Sequence, residues 1–146
     1  MATEKARFLD ANIFIYAYYK PKRRLSQNED AMKDQAKSII HGMNAGEELV
    51  RTTVVHIAEA ANILKHGMPV KELNDLILGL FMLDNVEVIG VKKELYFTAA
   101  ELGRELKLDP NDALAIEVMR ANGITEIYSF DHDFDRIEGI TRIPAS

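Results

Sequence analysis

Four acidic residues, Asp10, Glu59, Asp112 and Asp131, stand at positions from which carboxylates could act together. Asp10 and Asp131 each follow a short apolar run that suits a buried strand, and Asp112 stands in the first turn of an apolar helix. Glu59 lies beside the apolar stripe of another helix, where an acid is costly unless it is paired, protonated or bound to an ion. The carboxyl ends of parallel strands meet at one edge of a sheet, where ligands collect. A parallel sheet could therefore bring all four acids together.

The chemistry that fits clustered carboxylates is that of a bound divalent cation. Carboxylates that lie close together raise one another's pKa, so the cluster is stable at neutral pH chiefly when a cation neutralises it. Mg²⁺ and Mn²⁺ prefer oxygen ligands, keep several waters and bridge to phosphate groups. They lower the pKa of an attacking water and stabilise charge on phosphoryl oxygens. The acids therefore predict Mg²⁺ or Mn²⁺ as the cofactor and phosphodiester hydrolysis as the reaction.

Each acid also has a purely structural interpretation. Asp10 precedes a helix, where its oxygens would cap free backbone N–H groups. Asp112 lies where the helix dipole stabilises a carboxylate, and Asp109 before Pro110 is itself a natural cap. Glu59 could belong to an exposed helix face. The local sequence leaves these alternatives open, and only the convergence of several acids at one edge favours chemistry.

Composition narrows the class of protein. The 146 residues are 47% hydrophobic, which predicts a single globular domain over 1–146. Because the chain has no cysteine, any metal must be held by oxygen or imidazole ligands. The four histidines lack the spacing of ligand pairs, so we interpret them as surface or core residues. No apolar run approaches the roughly 20 residues that span a bilayer, so we expect a cytoplasmic protein without membrane contact.

Apolar periodicity predicts alternating strands and helices, which is the pattern of an α/β fold. The predicted strands cover 8–9, 48–53, 86–91, 126–130 and 141–143. Predicted helices begin at Asn12 and Pro110, and others cover 26–44, 54–64, 68–83 and 92–106. Ala31 is expected on the apolar face of the 26–44 helix. The wide apolar face of the 68–83 helix fits either the core or a dimer surface.

Four short motifs then give the chain a family resemblance. They are 8–15 (FLDANIFI), 54–60 (VVHIAEA), 111–116 (NDALAI) and 128–134 (YSFDHDF), and each contains an acid. In order and spacing they resemble the PIN domain family, in particular the small stand-alone PIN proteins that act as VapC-type toxins. Each motif alone is weak, but four in register are fairly specific, and the match covers nearly the whole chain.

The resemblance implies a fold, a site and an activity. The fold is a three-layer α/β/α arrangement around a central parallel sheet of four to five strands. Asp10, Glu59, Asp112 and Asp131 correspond to the family's catalytic acidic quartet. Asp133 matches a second acid of the last motif, so the metal ligands are expected to be Asp10, Asp112, Asp131 and Asp133, with Asp133 able to replace Asp131.

The first motif departs from the family at Ala11, because the residue after the aspartate is usually Thr or Ser. A hydroxyl that would orient the carboxylate or a metal-bound water is therefore missing. Asn12 remains beside it, and Ser129 matches the hydroxyl residue common two positions before the last acid. We expect Asn12 and Ser129 to support the site.

The resemblance implies a metal-dependent endoribonuclease, the toxin of a toxin–antitoxin pair. Its expected partners are RNA, a small antitoxin protein and a second copy of the chain. One alternative is a catalytically weak PIN fold that binds RNA or serves assembly, for which Ala11 and the net charge of −5 are the hints. Another is an unrelated acidic α/β phosphohydrolase of the haloacid-dehalogenase type. That class needs a second aspartate where this chain has Asn12.

The segment after the first helix holds four cations in five residues, Lys20, Lys22, Arg23 and Arg24. An acidic protein needs fixed cations to bind a polyanion, so we predict that this loop lies near Asp10 and contacts the RNA backbone. The alternatives are a solvated turn and a surface for an acidic antitoxin segment.

Overall fold

The structure is a computed structural model that describes residues 5–144; the first four and last two residues of the predicted domain lie outside that range. The strands are β1 (Arg7–Leu9), β2 (Val50–Thr53), β3 (Val86–Ile89), β4 (Glu126–Tyr128) and β5 (Thr141–Ile143). The helices are α1 (Ala11–Tyr18), α2 (Gln27–Asn44), α3 (Val54–Leu64), α4 (Val70–Phe81), α5 (Lys93–Leu106) and α6 (Pro110–Ala121), with a 3₁₀ helix at His132–Arg136. Every predicted element is present, and no end differs from its predicted position by more than two residues.

The five strands form one parallel sheet in the order β3-β2-β1-β4-β5. β1 occupies the centre, with Phe8 aligned to Arg51 on β2 and to Ile127 on β4. The chain therefore adds strands on one side of β1, then crosses back and adds β4 and β5 on the other side. This arrangement confirms the predicted parallel α/β sheet.

Successive side chains of a strand point to opposite faces of the sheet, and helices cover both faces. Phe8 and Ile127 pack with residues of α5 and α6. Leu9, Val50 and Tyr128 pack with residues of α1, α2 and α3. The two apolar clusters lie between the sheet and the helices on either side, which are the outer layers of the predicted three-layer α/β/α fold.

Local signals explain where the helices begin. Ser26 and Glu29 form a complete capping box at the start of α2. Asp109 caps α6 through the backbone N–H of Asp112, with Pro110 in the first helical turn. The expectation that Ala31 lies on the apolar face of α2 is wrong, because its side chain is exposed.

Close packing of α5 against the start of α6 depends on Gly103, which is buried. A Cβ atom there would lie 2.7 Å from the backbone oxygen of Leu108. Glycine thus lets the two helices approach, and it fixes where the first turn of α6 reaches the edge of the sheet. Among the helices of residues 5–144, none is both long and apolar enough to cross a membrane.

Candidate metal and active site

The chain leaves the two central strands towards opposite faces of the sheet. After β1, residues of α1 join the cluster around Leu9, and after β4, Phe134 of the 3₁₀ helix joins the cluster around Phe8. Adjacent parallel strands whose connections diverge leave a crevice at their carboxyl ends. Asp10 follows β1 directly, and Asp131 follows β4 after two residues. The fold therefore places both strand-end acids at this crevice.

Asp10 lies at the bottom of the site and is only 4% exposed. Its Oδ1 accepts a hydrogen bond from the backbone N–H of Ala11 at 2.8 Å, and its Oδ2 accepts one from the Ser129 hydroxyl at 2.7 Å. Burial raises the pKa of Asp10 to about 6, although the bonds from Ser129 and Ala11 oppose that rise. Asp10 is thus both a helix cap and a buried acid of the site.

The Ser129 hydroxyl is the junction between the two strand ends. It donates to Asp10 and accepts from the Asn12 amide at 3.2 Å and from the backbone N–H of Asp131 at 3.0 Å. The Asn12 side-chain oxygen in turn accepts from the backbone N–H of Phe130 at 3.2 Å. One donor and two acceptor positions are thereby used, which is the full capacity of a hydroxyl. Asn12 and Ser129, the two residues expected to support the site, thus tie the end of β1 to the end of β4, and Ser129 bonds directly to Asp10.

Three carboxylates come close enough to share one cation: Asp112, Asp131 and Asp133. One oxygen from each lies within 4.8 Å of the others. Asp112 is buried, Asp131 is half-buried and Asp133 is exposed, so the group opens from the crevice to solvent. Both acids of the last motif, Asp131 and Asp133, belong to this group. Within the described residues, Asp10 and Glu59 are not part of this group.

The electrostatics of Asp112 show how crowded the site is. Burial, followed by the charges of Asp10 and Asp109 and by contact with Asp131, raises the pKa of Asp112 to about 9. In the absence of a cation, this carboxyl group therefore holds a proton at neutral pH. Oxygen ligands with excess negative charge are the donor set that Mg²⁺ and Mn²⁺ prefer, so the residues fit such an ion.

The Glu59 side chain is held by Asn111, the residue before Asp112 of the acidic group. Its Oε1 accepts a hydrogen bond from the Asn111 amide at 2.6 Å, and the Asn111 side-chain oxygen accepts from the Tyr96 hydroxyl at 2.6 Å. Asn111 is the residue before Asp112, so these contacts from α3 and α5 fix the first turn of α6. The sequence placed Glu59 beside a buried stripe, and the structure finds it half-buried.

His56 supports the same turn from inside the core, where it is fully buried. Its Nε2 lies 3.0 Å from the backbone oxygen of Asn111, and its Nδ1 lies 2.7 Å from the Thr53 hydroxyl. A carbonyl oxygen only accepts, so Nε2 donates and Nδ1 accepts from Thr53. Burial lowers the pKa of His56, which agrees with this neutral tautomer. The alternative of a core histidine, left open by the sequence, is the observed one.

The basic loop lies farther from Asp10 than expected. Asp10 caps the first turn of α1, whereas Lys20 follows its last turn, and eight helical residues separate the two ends by about 12 Å. Lys20, Lys22 and Arg24 are exposed, but Arg23 forms a two-pronged ion pair with Glu29 at 2.9 and 2.6 Å. This loop and the α3–α4 loop line a cleft of about 700 Å³.

Several residues at the site escaped sequence reasoning. Asn111, Tyr96 and His56 act through contacts between elements far apart in the chain. Arg142 is a buried arginine on β5 that bonds to the turn between Asp131 and Arg136. One local signal was available for Arg142. In a strand, the Arg142 side chain points to the face of the sheet opposite to that of Thr141 and Ile143.

The family of the protein follows from its sequence as a whole. A profile of the PIN domain matches residues 7–140, which is nearly the whole chain. The chain therefore belongs to the PIN domain family, and the resemblance stated above is confirmed. The alternative of an unrelated phosphohydrolase is thereby set aside.

Solved structures with a similar fold include toxins and toxin–antitoxin complexes. VapC20 from Mycobacterium tuberculosis, a sarcin-ricin loop cleaving toxin, gives a TM-score of 0.65 at 24% identity over 88% of this chain and 92% of that one. A toxin–antitoxin complex from Klebsiella pneumoniae gives 0.61 at 17%, covering 92% and 95% of the two chains. VapBC2 from Rickettsia felis, bound to a promoter DNA fragment, gives 0.56 at 20%, covering 94% and 96%. At these identities the likeness shows the fold. A search of curated proteins gave no match.

Proposed function

We propose that this protein is a divalent-metal-dependent endoribonuclease and the toxin of a toxin–antitoxin pair. The observation that carries the proposal is a group of three carboxylates, from Asp112, Asp131 and Asp133, within 4.8 Å at the carboxyl edge of a PIN fold. The similar fold of a toxin that cleaves the sarcin-ricin loop and of toxin–antitoxin complexes supports the choice of RNA and of an antitoxin partner.

Asp112, Asp131 and Asp133 would hold Mg²⁺ or Mn²⁺, with Asp10 as a further ligand. The ion would supply an activated water and charge stabilisation on the scissile phosphate. The protein's own part is to keep the carboxylates in place. The Ser129 hydroxyl holds Asp10 and the backbone of Asp131 in one fixed relation, at 2.7 and 3.0 Å. Asp112 would bind the ion as a carboxylate and would give up its proton to solvent, because a nearby cation favours the charged form.

Glu59 completes the acidic quartet of this proposal by fixing Asn111, the residue before Asp112. Its hydrogen bond to Asn111 joins α3 to α6 across the mouth of the crevice. Because the Asn111 backbone is also held by His56, the position of Asp112 depends on both contacts. The acid at position 59 thus contributes to catalysis by keeping a metal-binding carboxylate in register.

RNA would reach the acidic site along a basic rim. Lys20 and Lys22 are exposed and line the cleft that the α1–α2 and α3–α4 loops form, and Arg24 is exposed farther along the same loop. Arg23 also faces this cleft, but its pairing with Glu29 leaves it less free for phosphate. A chain of net charge −5 needs such cations because long-range repulsion otherwise keeps a polyanion away.

The antitoxin and a second copy of the chain would bind apolar surface. Val70, Leu78, Phe81 and Met82, on α4 and just after it, are large apolar residues with more than half of their surface exposed. Exposed apolar patches of this kind mark protein interfaces. RNA and antitoxin would both be met in the cytoplasm, where we propose that the protein acts as a homodimer.

The test is cleavage of single-stranded RNA by the purified protein. We expect cleavage with Mg²⁺ or Mn²⁺, none with excess EDTA, and none by Asp10→Asn. Asp84→Asn, which changes an exposed aspartate before β3, serves as the matched control and should cleave normally. In bacterial cells, expression of the native chain should arrest growth and Asp10→Asn should not. Binding of RNA without cleavage under all conditions would favour the RNA-binding module instead.

A further inference from the structure

Arg142 is the one charged residue of β5, and its side chain is buried, with 3% exposure. Its Nη1 donates to the backbone oxygens of Ser129 at 3.3 Å and Pro144 at 2.7 Å. Its Nε and Nη2 donate to the two oxygens of Asp135 at 2.9 and 3.3 Å, and Nη2 lies 3.1 Å from His132 Nδ1. All three guanidinium nitrogens are therefore engaged.

These contacts surround the turn that carries two of the three clustered carboxylates. His132 and Asp135 lie on either side of Asp133, and His132 directly follows Asp131. Arg142 therefore holds the turn from β5, on both sides of Asp133. Its contact to Ser129 reaches the residue whose hydroxyl holds Asp10. The Arg142 side chain thus contacts both Ser129, which holds Asp10, and the turn that carries Asp131 and Asp133.

An arginine at position 142 is well suited to holding this turn. A buried cation is costly unless it is paired and its donors are satisfied, so its retention in the core calls for a reason beyond stability. Arginine offers a rigid planar fork that can bind a carboxylate through two nitrogens while a third contacts the backbone. Lysine has a single nitrogen, which cannot reach all these acceptors together. Asp135 supplies the opposite charge, and hydrogen bonds from Arg142 and His132 hold its pKa below the ordinary value.

We propose that Arg142 is a positioning residue that fixes the 131–136 turn so that Asp131 and Asp133 are preorganised to bind a divalent cation together with Asp112. Asp135 serves as the counter-charge of Arg142 and is not a metal ligand. The proposal rests on the metal site of the proposed function, and it assigns to β5 a part in that site. Outer contacts of this kind typically change metal affinity by about ten- to a hundredfold.

The experiment measures binding of Mn²⁺ alone to the purified full chain by electron paramagnetic resonance. The variants are Arg142→Met, which removes charge and fork, and Arg142→Lys, which keeps the charge. Arg51→Met is the matched control, because Arg51 is also a strand arginine, paired with Glu87 at 3.1 Å, but it lies on β2 beyond β1 and β4. Amide hydrogen exchange of the 131–136 turn is followed in metal-free protein.

We expect Arg142→Met to bind Mn²⁺ about ten- to a hundredfold more weakly and Arg51→Met to stay within about twofold of wild type. Arg142→Lys should lose affinity to a smaller extent, and its RNA cleavage rate should recover at saturating Mn²⁺ because every ligand is still present. The 131–136 amides should exchange faster in both Arg142 variants.

Wild-type Mn²⁺ affinity in Arg142→Met, or an equal loss in Arg51→Met, would overturn the proposal. If Arg142→Met does not fold, Arg142→Lys decides, because wild-type affinity there would mean that charge alone suffices. Failure of the native chain to bind Mn²⁺ would instead contradict the proposed function. In that event the exchange of the 131–136 amides still tests whether Arg142 fixes the turn, and unchanged exchange would reject it.

Discussion

The two edges of the same sheet carry two charged clusters of opposite design. At the amino edge, Arg7 donates to Glu48 at 3.0 Å and to Glu126 at 3.3 Å, and it lies over the Tyr128 ring at 5.2 Å from its centroid. We call Arg7, Glu48, Glu126 and Tyr128 the amino-edge cluster. We call Asp10, Asp112, Asp131 and Asp133 the carboxyl-edge cluster. The first joins opposite charges across three neighbouring segments, and the second gathers like charges.

The difference separates a cluster whose acids are paired within the protein from one whose acids repel one another. Every acid of the amino-edge cluster has a cation or hydroxyl partner, and the Tyr128 hydroxyl bonds to Glu48 as well as to Arg7. In the carboxyl-edge cluster, repulsion and burial leave Asp112 protonated at neutral pH when no cation is present. The carboxyl-edge cluster thus lowers folding stability at the place where the catalytic site is proposed, a pattern common at functional sites.

The largest effect is expected from Asp112→Asn, which breaks the carboxyl-edge cluster. RNA cleavage should fall by about a hundredfold or more, because a metal ion contributes several kcal/mol to transition-state stabilisation. Without metal at neutral pH, the melting temperature should rise or stay unchanged, because asparagine avoids the cost of keeping a carboxyl group protonated above its unfolded-state pKa. Asp30→Asn is the matched control, because Asp30 is also in the first turn of a helix but is exposed. A cleavage rate close to wild type in Asp112→Asn would contradict the proposed site.

A second prediction concerns the pH dependence of stability in EDTA. The pKa of Asp112 is raised from 3.8 to about 9 and that of Asp10 from 3.8 to about 6, so the folded state binds protons more tightly than the unfolded state. The stability that these two acids contribute is therefore greatest below their unfolded-state pKa, and it is lost as pH rises through their folded-state pKa values. The melting temperature should fall between about pH 6.5 and pH 8.5, because below that range the buried His56, whose pKa is lowered, adds stability as pH rises and opposes the fall.

Saturating Mg²⁺ should flatten this pH profile, because the cation replaces the proton. Asp112→Asn in EDTA should show a shallower fall than wild type, while Arg7→Met should keep the wild-type slope. A metal-free profile that rises over this range would show that the acids of the carboxyl edge are stabilised by partners other than a proton or an ion.

A third prediction breaks the amino-edge cluster. Arg7→Met should lower the free energy of unfolding by about 1–3 kcal/mol, because it leaves Glu48 and Glu126 without their shared donor. RNA cleavage per folded molecule should be unchanged, since the carboxyl-edge cluster is at the other end of β1. Arg7→Lys should recover part of the stability. Denaturant unfolding gives the first quantity, and a cleavage assay at equal folded concentration gives the second.

The sequence predicted the parts of this comparison that depend on local patterns. Asp10 and Asp131 were found because an apolar run ends beside each of them, and the cap at Asp109 because Pro110 follows it. The contacts that assemble the site join residues far apart, as between Ser129 and Asp10, and no local pattern specifies them. The same holds for Arg142, whose partners become neighbours only when β5 pairs with β4. The amino-edge cluster was missed for this reason too.

The smallest expected effect concerns the basic loop, whose cations lie outside both clusters. Lys20 and Lys22 are exposed, whereas Arg23 is paired with Glu29. If the loop binds the RNA backbone, each phosphate that it neutralises adds about 0.7 to the log–log salt slope of RNA binding. Replacing Lys20 and Lys22 together by alanine should therefore reduce that slope by about 0.7 per phosphate no longer neutralised. Arg23→Ala should change the slope less, because its charge is already balanced.

An exposed lysine pair at the start of α5 provides the matched control for this loop. Lys92→Ala with Lys93→Ala removes the same charge from another surface, so it should leave the salt slope unchanged. Fluorescence anisotropy at several salt concentrations measures the slopes, with every variant built on the catalytically inactive Asp10→Asn so that the RNA stays intact. If the two double variants gave equal salt slopes, a general loss of positive charge would explain any weakening of RNA binding. The loop would then serve another partner.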